Sequence, residues 1–525
     1  MERASSANAV AAPRTTPGRA RPGSQRPPRE IRCMHATSSL YRSRRLLGVR
    51  CLLVCVSTWT AACGDSAERG ADLSEELSGG EGVYVASAGG VAVPDGYELH
   101  EYLATGVATA YAAGEQGLPD DGRWDLLRTT TAPYRTRVVV RRPAERAAAS
   151  GTVIVEWLNV SGGVDADPEY ATLAEEITRA GHIWVGVSAQ LVGVEGGAVL
   201  VSTGVPDPNA GAGLRTIDPE RYGSLSHPGD GYAFDIFTQI ARTLRRGGAV
   251  LGGVRPSVLI AAGESQSAMA LSTYYNGVQS TEGVFDGFFV HSRAGFTLPL
   301  VGEGEYADIT RALFTRERPV FRDDLDAPVM NIQTESDTFG ILSSYRARQA
   351  DSSTFRLWEI AGTAHADRHL LGFAAEFIDC TVPINDGPTH LVAKAALRAL
   401  DLWVRTGATP PTAPRIELSE DATNPVPLRD VDGIALGGVR TPLVDVPVDI
   451  LSGVPGSSSI ICLLLGSTTP LPTERLAELY ESRTDYEQQF EASAVATIAA
   501  GFTLEDDHAA LTAYSQPARV EAAVP

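Results

Sequence analysis

The stretch VLIAAGESQSAM, Val258 to Met269, decides the fold. Apolar and small residues run into a glycine, an acid and a serine, and a helix-forming segment follows. A continuous apolar run of this length reads as a strand covered on both faces. Gly263-Glu264-Ser265-Gln266-Ser267 then fits G-x-S-x-G with serine in the last place. Small residues are required two places either side of the central serine, because the strand-to-helix turn is tight and its flanking backbone nearly collides. Ser265 is therefore the candidate nucleophile, held out at a sharp bend.

The same pattern recurs outward from this turn. GTVIVEWL, HIWVGVSA, FDGFFVHS, APVMNIQT and STFRLWEIA read as buried strands, while PEYATLAEEITRAG, GYAFDIFTQIARTLRRGG and HLVAKAALRALDLWVRTG read as helices. Strand and helix in alternation predict an α/β fold, a mostly parallel sheet with helices on both faces. Before it, GYELHEYLATGVATAYA and YRTRVVVRRP alternate apolar and polar residues, as on an antiparallel edge. Residues 293–326 break the alternation and are expected to form a lid or insertion over the site, with GFTLPLVGEGEYADITRALF bordering the pocket. After residue 408 the chain turns Pro-rich, then extended, then helical, which predicts an appendage packed on the main domain.

Composition excludes several classes. The 43% hydrophobic content is that of a globular protein, and the net charge of −20 repels phosphate backbones, so no nucleic-acid partner is expected. The charge is uneven: residues 1–62 hold eleven arginines against two glutamates, ending in a short apolar run and small residues before Cys63. That segment reads as an export signal, too short to span a membrane, with Met34 as an alternative start. Ala61-Ala62-Cys63 resembles the lipobox of bacterial lipoproteins, although Thr60 stands where leucine is usual; it implies a lipid anchor on Cys63, with cleaved soluble secretion as the alternative. Residues 63–82 read as a flexible tether, 83–408 as the main domain and 409–525 as the extended and helical extension. Once the leader is gone only Cys380 and Cys462 remain in the folded body, which suggests one disulfide in an oxidising compartment.

A serine at its free pKa needs a base, and in a fold of this kind the chain order is serine, acid, histidine. Asp337 follows the strand ending at Thr334 and is preferred as the acid, with Glu335 the alternative. His365 lies in the Gly-containing loop after the next strand, with His369 its rival. An oxyanion hole is expected from the N–H of Gln266 and from the Gly-rich loop EWLNVSGG, at Asn159, Val160 or Ser161. His227 and Asp230 of SHPGD either line the site or hold a helix start. His365, Asp367 and His369 have metal-like spacing but fall in a loop, and no HExxH, CxxC or phosphate loop is present, so neither metal nor cofactor is expected.

EWLNVSGG, SHPGDGYAFDIF, AAGESQSA, TESD, AGTAH, GGVRTPLVDVP and GFTLEDDHAAL together resemble the alpha/beta hydrolases, in particular a bacterial group described only as alpha/beta hydrolase domain-containing. The resemblance runs from about Val83 to the end. It implies a Ser-His-Asp hydrolase acting on a small-molecule ester. A peptidase or amidase with the same triad, or a silent surface binding protein, are the alternatives. With a neutral histidine as base, activity is expected to rise near pH 6.5.

Overall fold

The computed structural model describes residues 70–86, 92–202, 207–312, 318–421 and 424–524. The export segment, Met34 and Cys63 lie outside the described residues. Nine strands form one sheet: β1 Asp72–Glu76, β2 Tyr97–Ala113, β3 Leu126–Pro143, β4 Thr152–Trp157, β5 Ile183–Val187, β6 Val258–Glu264, β7 Gly287–His291, β8 Val329–Thr334 and β9 Phe355–Ile360. Their order is β1-β2-β3-β5-β4-β6-β7-β8-β9. The pairs from β1 to β5 are antiparallel, and those from β5 to β9 are parallel.

Each central strand feeds two cores, because successive side chains point to opposite faces. On β4, Val153, Val155 and Trp157 join one core while Ile154 joins the other; on β6, Leu259 and Ala261 part in the same way from Val258, Ile260 and Ala262. Helix α1, Pro168–Arg179, and a long helix, Thr389–Thr406, cover the second face with Leu173, Ile177, Leu397 and Leu400. Helix α2, Ala233–Arg246, and α3, Gln266–Thr273, cover the first with Phe237, Ile240, Met269 and Leu271. The continuous apolar runs of the sequence follow from this double burial.

Three expectations change. Asp72–Glu76, read as part of the tether, pairs with β2 as the edge strand, and only Leu73 of its five residues is buried. The expected edge strand β3 lies inside the sheet between β2 and β5, and its Arg137 and Arg141 are fully buried. None of the described residues of 293–326 lines the Ser265 cavity: Phe296, Leu298, Ala307 and Phe321 sink into the first core, and the described part of the segment lines a separate cavity of about 1040 Å³ against β2 and β3.

The C-terminal segment contacts helices and strands of the preceding sheet domain. Asp507 pairs with Lys394 of the long helix at 2.9 Å and with Arg179 of α1 at 3.0 Å, and Phe502 packs on Trp358 of β9. No helix among the described residues is long and apolar enough to cross a membrane.

Candidate active site

β6 ends at Glu264 and α3 begins at Gln266, so Ser265 alone makes the turn, at φ 61 and ψ −118. This is a conformation that a residue with a Cβ pays for, and it persists because strand and helix are both locked into the sheet. The small flanking residues have the predicted reason: a Cβ on Gly263 would stand 2.9 Å from the Cβ of Ser267. The bend leaves Ser265 partly exposed, facing a cavity of about 480 Å³.

The later strands bring two of the expected partners to it. Ser265 Oγ lies 2.8 Å from His365 Nε2, and His365 Nδ1 lies 2.7 Å from Asp337 Oδ1. An ionised carboxylate only accepts, so Nδ1 carries the proton and Nε2 faces the serine hydroxyl as an acceptor. Asp337 sits just beyond β8, where its Oδ2 accepts from the Thr334 N–H at 2.7 Å and from the Ser292 hydroxyl at 2.6 Å. Burial works against its charge, but the His365 imidazole and these donors hold it below the usual carboxylate range. Burial also opposes charge on His365, yet the carboxylates of Asp337 and then Glu264 push it up to about 9.

Glu335, the alternative acid, faces away into a structural network. Its carboxylate accepts from the N–H groups of Gly362 and Gly453 at 2.8 and 2.9 Å and pairs with Arg429. His369 stacks on His390 with ring centroids 3.7 Å apart, so it does not take the place of His365 beside the serine. His227 and Asp230 are buried and absent from the lining of this cavity. His227 Nε2 meets the Ala189 carbonyl at 2.9 Å, while Asp230 accepts from Gln190, from the Leu191 N–H and from the Ala307 N–H. Asp230 thus closes the start of the short helix Leu191–Glu195 and ties it to a distant loop.

Of the oxyanion-hole candidates, the N–H groups of Asn159, Val160 and Ser161 all have acceptors within the protein, the first being the Ala166 carbonyl at 2.9 Å. Gln266 is the first residue of α3, and the first N–H groups of a helix have no acceptor within it. The Val160 N–H donates to Gln266 Oε1 at 3.1 Å, and the Ser161 N–H donates to Asn159 Oδ1 at 2.8 Å. Asn159 in turn donates to the Glu264 carbonyl at 3.0 Å, joining the loop after β4 to the serine turn.

Sequence reasoning missed three contributions. Arg137 and Arg141 of β3 reach under this loop and pair with Asp165 and Asp167, each at 2.7 Å. Glu264 is almost fully buried, its Oε1 3.5 Å from His365 Nε2, and burial pushes it up to about 7. The cavity wall facing the serine comes from residues 366–374 and from Ile461 and Leu464, which the expected lid would have supplied. The expected disulfide between Cys380 and Cys462 joins these two stretches, and the Ala366 N–H donates to the Leu464 carbonyl at 3.1 Å. The acidic run VDADPE after the double glycine was the available signal for the buried arginines; nothing local marked the wall.

A family model described as an alpha/beta hydrolase domain matches residues 73–513. No curated protein matches the sequence. Among solved structures, an a/b serine hydrolase without lid from Xanthomonas campestris is 13% identical, with a TM-score of 0.28 over 56% of this chain and 94% of that one. The rice cell wall degrading esterase LipA from Xanthomonas oryzae is 14% identical, with a TM-score of 0.20 over 38% of this chain and 44% of that one.

Proposed function

The chain belongs to the alpha/beta hydrolase domain family, and from that premise we propose that it is an exported serine hydrolase cleaving carboxylic esters through an acyl-enzyme. The observation that carries the reading is the unbroken chain from Ser265 through His365 to Asp337, at 2.8 and 2.7 Å, with the serine held in a positive-φ turn facing a cavity.

In this reading Ser265 Oγ attacks the ester carbonyl carbon as His365 Nε2 takes its proton. The tetrahedral oxyanion accepts from the Gln266 N–H at the start of α3 and from an N–H of the Val160–Ser161 loop. On collapse the C–O bond breaks and His365 returns the proton to the leaving alcohol. Water then attacks the acyl-enzyme by the same exchange and releases the acid. Asp337 holds the imidazole in the tautomer that accepts from serine and stabilises the imidazolium between the two transfers.

Export is part of the proposal. The basic, then apolar leader supports it, as does the Cys380–Cys462 disulfide, which persists in oxidising compartments. The proposed lipid anchor is Cys63.

Labelling of the purified protein with a fluorophosphonate probe tests the catalytic reading. The wild type is expected to label, and Ser265→Ala to lose both the label and ester turnover while keeping its circular dichroism. Labelling that survives Ser265→Ala refutes the assignment. Parallel turnover of an ester and its matching amide separates the esterase from the amidase reading.

A further inference from the structure

We infer that the cavity at Ser265 takes the uncharged aliphatic side of its ester and turns away substrates that carry an anionic group. The inference rests on the serine hydrolase reading and names the substrate class for that same site.

The lining carries it. Val85, Leu370, Leu371, Ile461 and Leu464 supply the walls, and among the described residues no lysine or arginine lines the cavity. Besides His365, the acidic or basic side chains among its described lining residues are two carboxylates, Asp207 and Glu264. Asp207 is exposed, whereas Glu264 is buried and directly precedes the serine. At the pH where His365 is neutral and Glu264 ionised, a substrate carboxylate entering here would leave water for an aliphatic surface with no lysine or arginine among its described residues to meet it, and would approach two groups of its own sign. The positive end of α3 cannot compensate, because it faces the reacting carbonyl, where the oxyanion forms.

The walls are also firmly held. Leu370 and Leu371 stand on the short helix Arg368–Leu371 directly after His365, and Ile461 and Leu464 stand beside Cys462. Ala375, Cys380, Ile384, Cys462 and Leu465 form one apolar cluster behind them. At about 480 Å³ the cavity lies in the lower half of the range of about 300–1,000 Å³ found for small-ligand sites, which suits one short to medium acyl chain.

The test compares p-nitrophenyl butanoate with p-nitrophenyl hemisuccinate, which share a four-carbon acyl skeleton and differ by a distal carboxylate. Each is run with unlabelled wild type and Asp207→Asn, and separate aliquots of both are labelled with the fluorophosphonate probe. The expected kcat/KM ratio favours butanoate by about tenfold or more, since like charges in a partly desolvated site cost at least that. Asp207→Asn is expected to narrow the ratio at low ionic strength, and high salt to narrow it in the wild type, because Asp207 is exposed and screened. Equal rates on the two esters, or a ratio that Asp207→Asn leaves where it was, overturn the inference while labelling at Ser265 leaves the serine hydrolase reading intact. A folded wild type that neither labels nor turns over either ester overturns both.

Discussion

Replacing Glu264 by Gln removes a carboxylate 3.5 Å from His365 Nε2 and tests the electrostatics of the site directly. Asp337 lies at 2.7 Å on the other ring nitrogen, and burial alone would favour the neutral ring; the two acids reverse that and carry His365 up to about 9. Of the other titratable groups near the ring, burial keeps His291 neutral and pushes Asp367 up to about 6. Against an ordinary value of 6.5, a histidine at about 9 is favoured in its protonated form by about 3 kcal/mol in the fold. The folded value is the raised one, so this contribution to stability is fully present below pH 6.5 and is lost as pH rises through about 9. In the serine hydrolase reading, catalysis needs the neutral ring. The rising limb of kcat/KM is therefore expected well above pH 6.5, where sequence alone placed it.

Glu264, itself near 7, is ionised across most of that window, so its charge acts on His365 where His365 titrates. A charge within about 4–6 Å moves a pKa by about 1–3 units, and Glu264→Gln should bring the limb down by that amount. The assay is kcat/KM for a neutral p-nitrophenyl ester from pH 5 to 10, corrected for spontaneous hydrolysis, with the midpoint as the readout and not the plateau. A midpoint that stays put in Glu264→Gln, or a wild-type limb at or below pH 6.5, refutes the reasoning.

Asp337→Asn is expected to lower kcat by about 10⁴-fold, because the wrong tautomer then faces the serine. Glu335→Gln should instead lower the melting temperature, by the loss of a charged acceptor worth about 1–3 kcal/mol to Arg429 and two N–H groups, with kcat of the folded protein little changed. An equal loss of kcat in the two variants would reassign the acid. Replacing Cys380 and Cys462 together by alanine opens a loop closed over a separation of 82 residues and should cost about 4 kcal/mol, read as a fall in melting temperature with a raised KM from the loosened wall. An unchanged melting temperature would show that the apolar cluster holds the wall without the bond.

Features set by local chain chemistry were legible in the sequence. The buried strands, the Gly263–Ser267 turn and the placement of Asp337 just beyond β8 each follow from a spacing that a strand-to-helix connection imposes. What escaped depends on distant packing. PheThrLeuProLeu at residues 296–300 reads like a cap over a site, but β2 and β3 run 17 and 18 residues and leave a gap beside the sheet that this segment enters. The stretch YRTRVVVRRP reads as an antiparallel edge because alternation does not reveal a neighbour on the far side; with β5 paired there, Arg137 and Arg141 are buried and meet Asp165 and Asp167. Asp72–Glu76 lacked an apolar pattern because an exposed edge strand needs only Leu73 to anchor it.

These buried arginines bear on the reaction. An oxyanion hole works when its donors are already aimed, so that no reorganisation is needed as charge develops. The loop after β4 is fixed from below by the pairs to Asp165 and Asp167, with the Arg141 guanidinium also lying 3.9 Å from the Tyr170 ring centroid. It is fixed from the side by Asn159, which bonds the Glu264 carbonyl, and by the exchange of backbone bonds between Asn159 and Ala166. The soft contact is the Gln266 side-chain oxygen on the Val160 N–H. A neutral amide acceptor is worth about 1 kcal/mol net, and an oxyanion makes a bond roughly twice as strong, so the incoming charge displaces Gln266 without moving the loop. In the serine hydrolase reading, the rigid part of the hole is thus built from buried ion pairs on β3, and the moving part is a single side chain on the residue after the nucleophile.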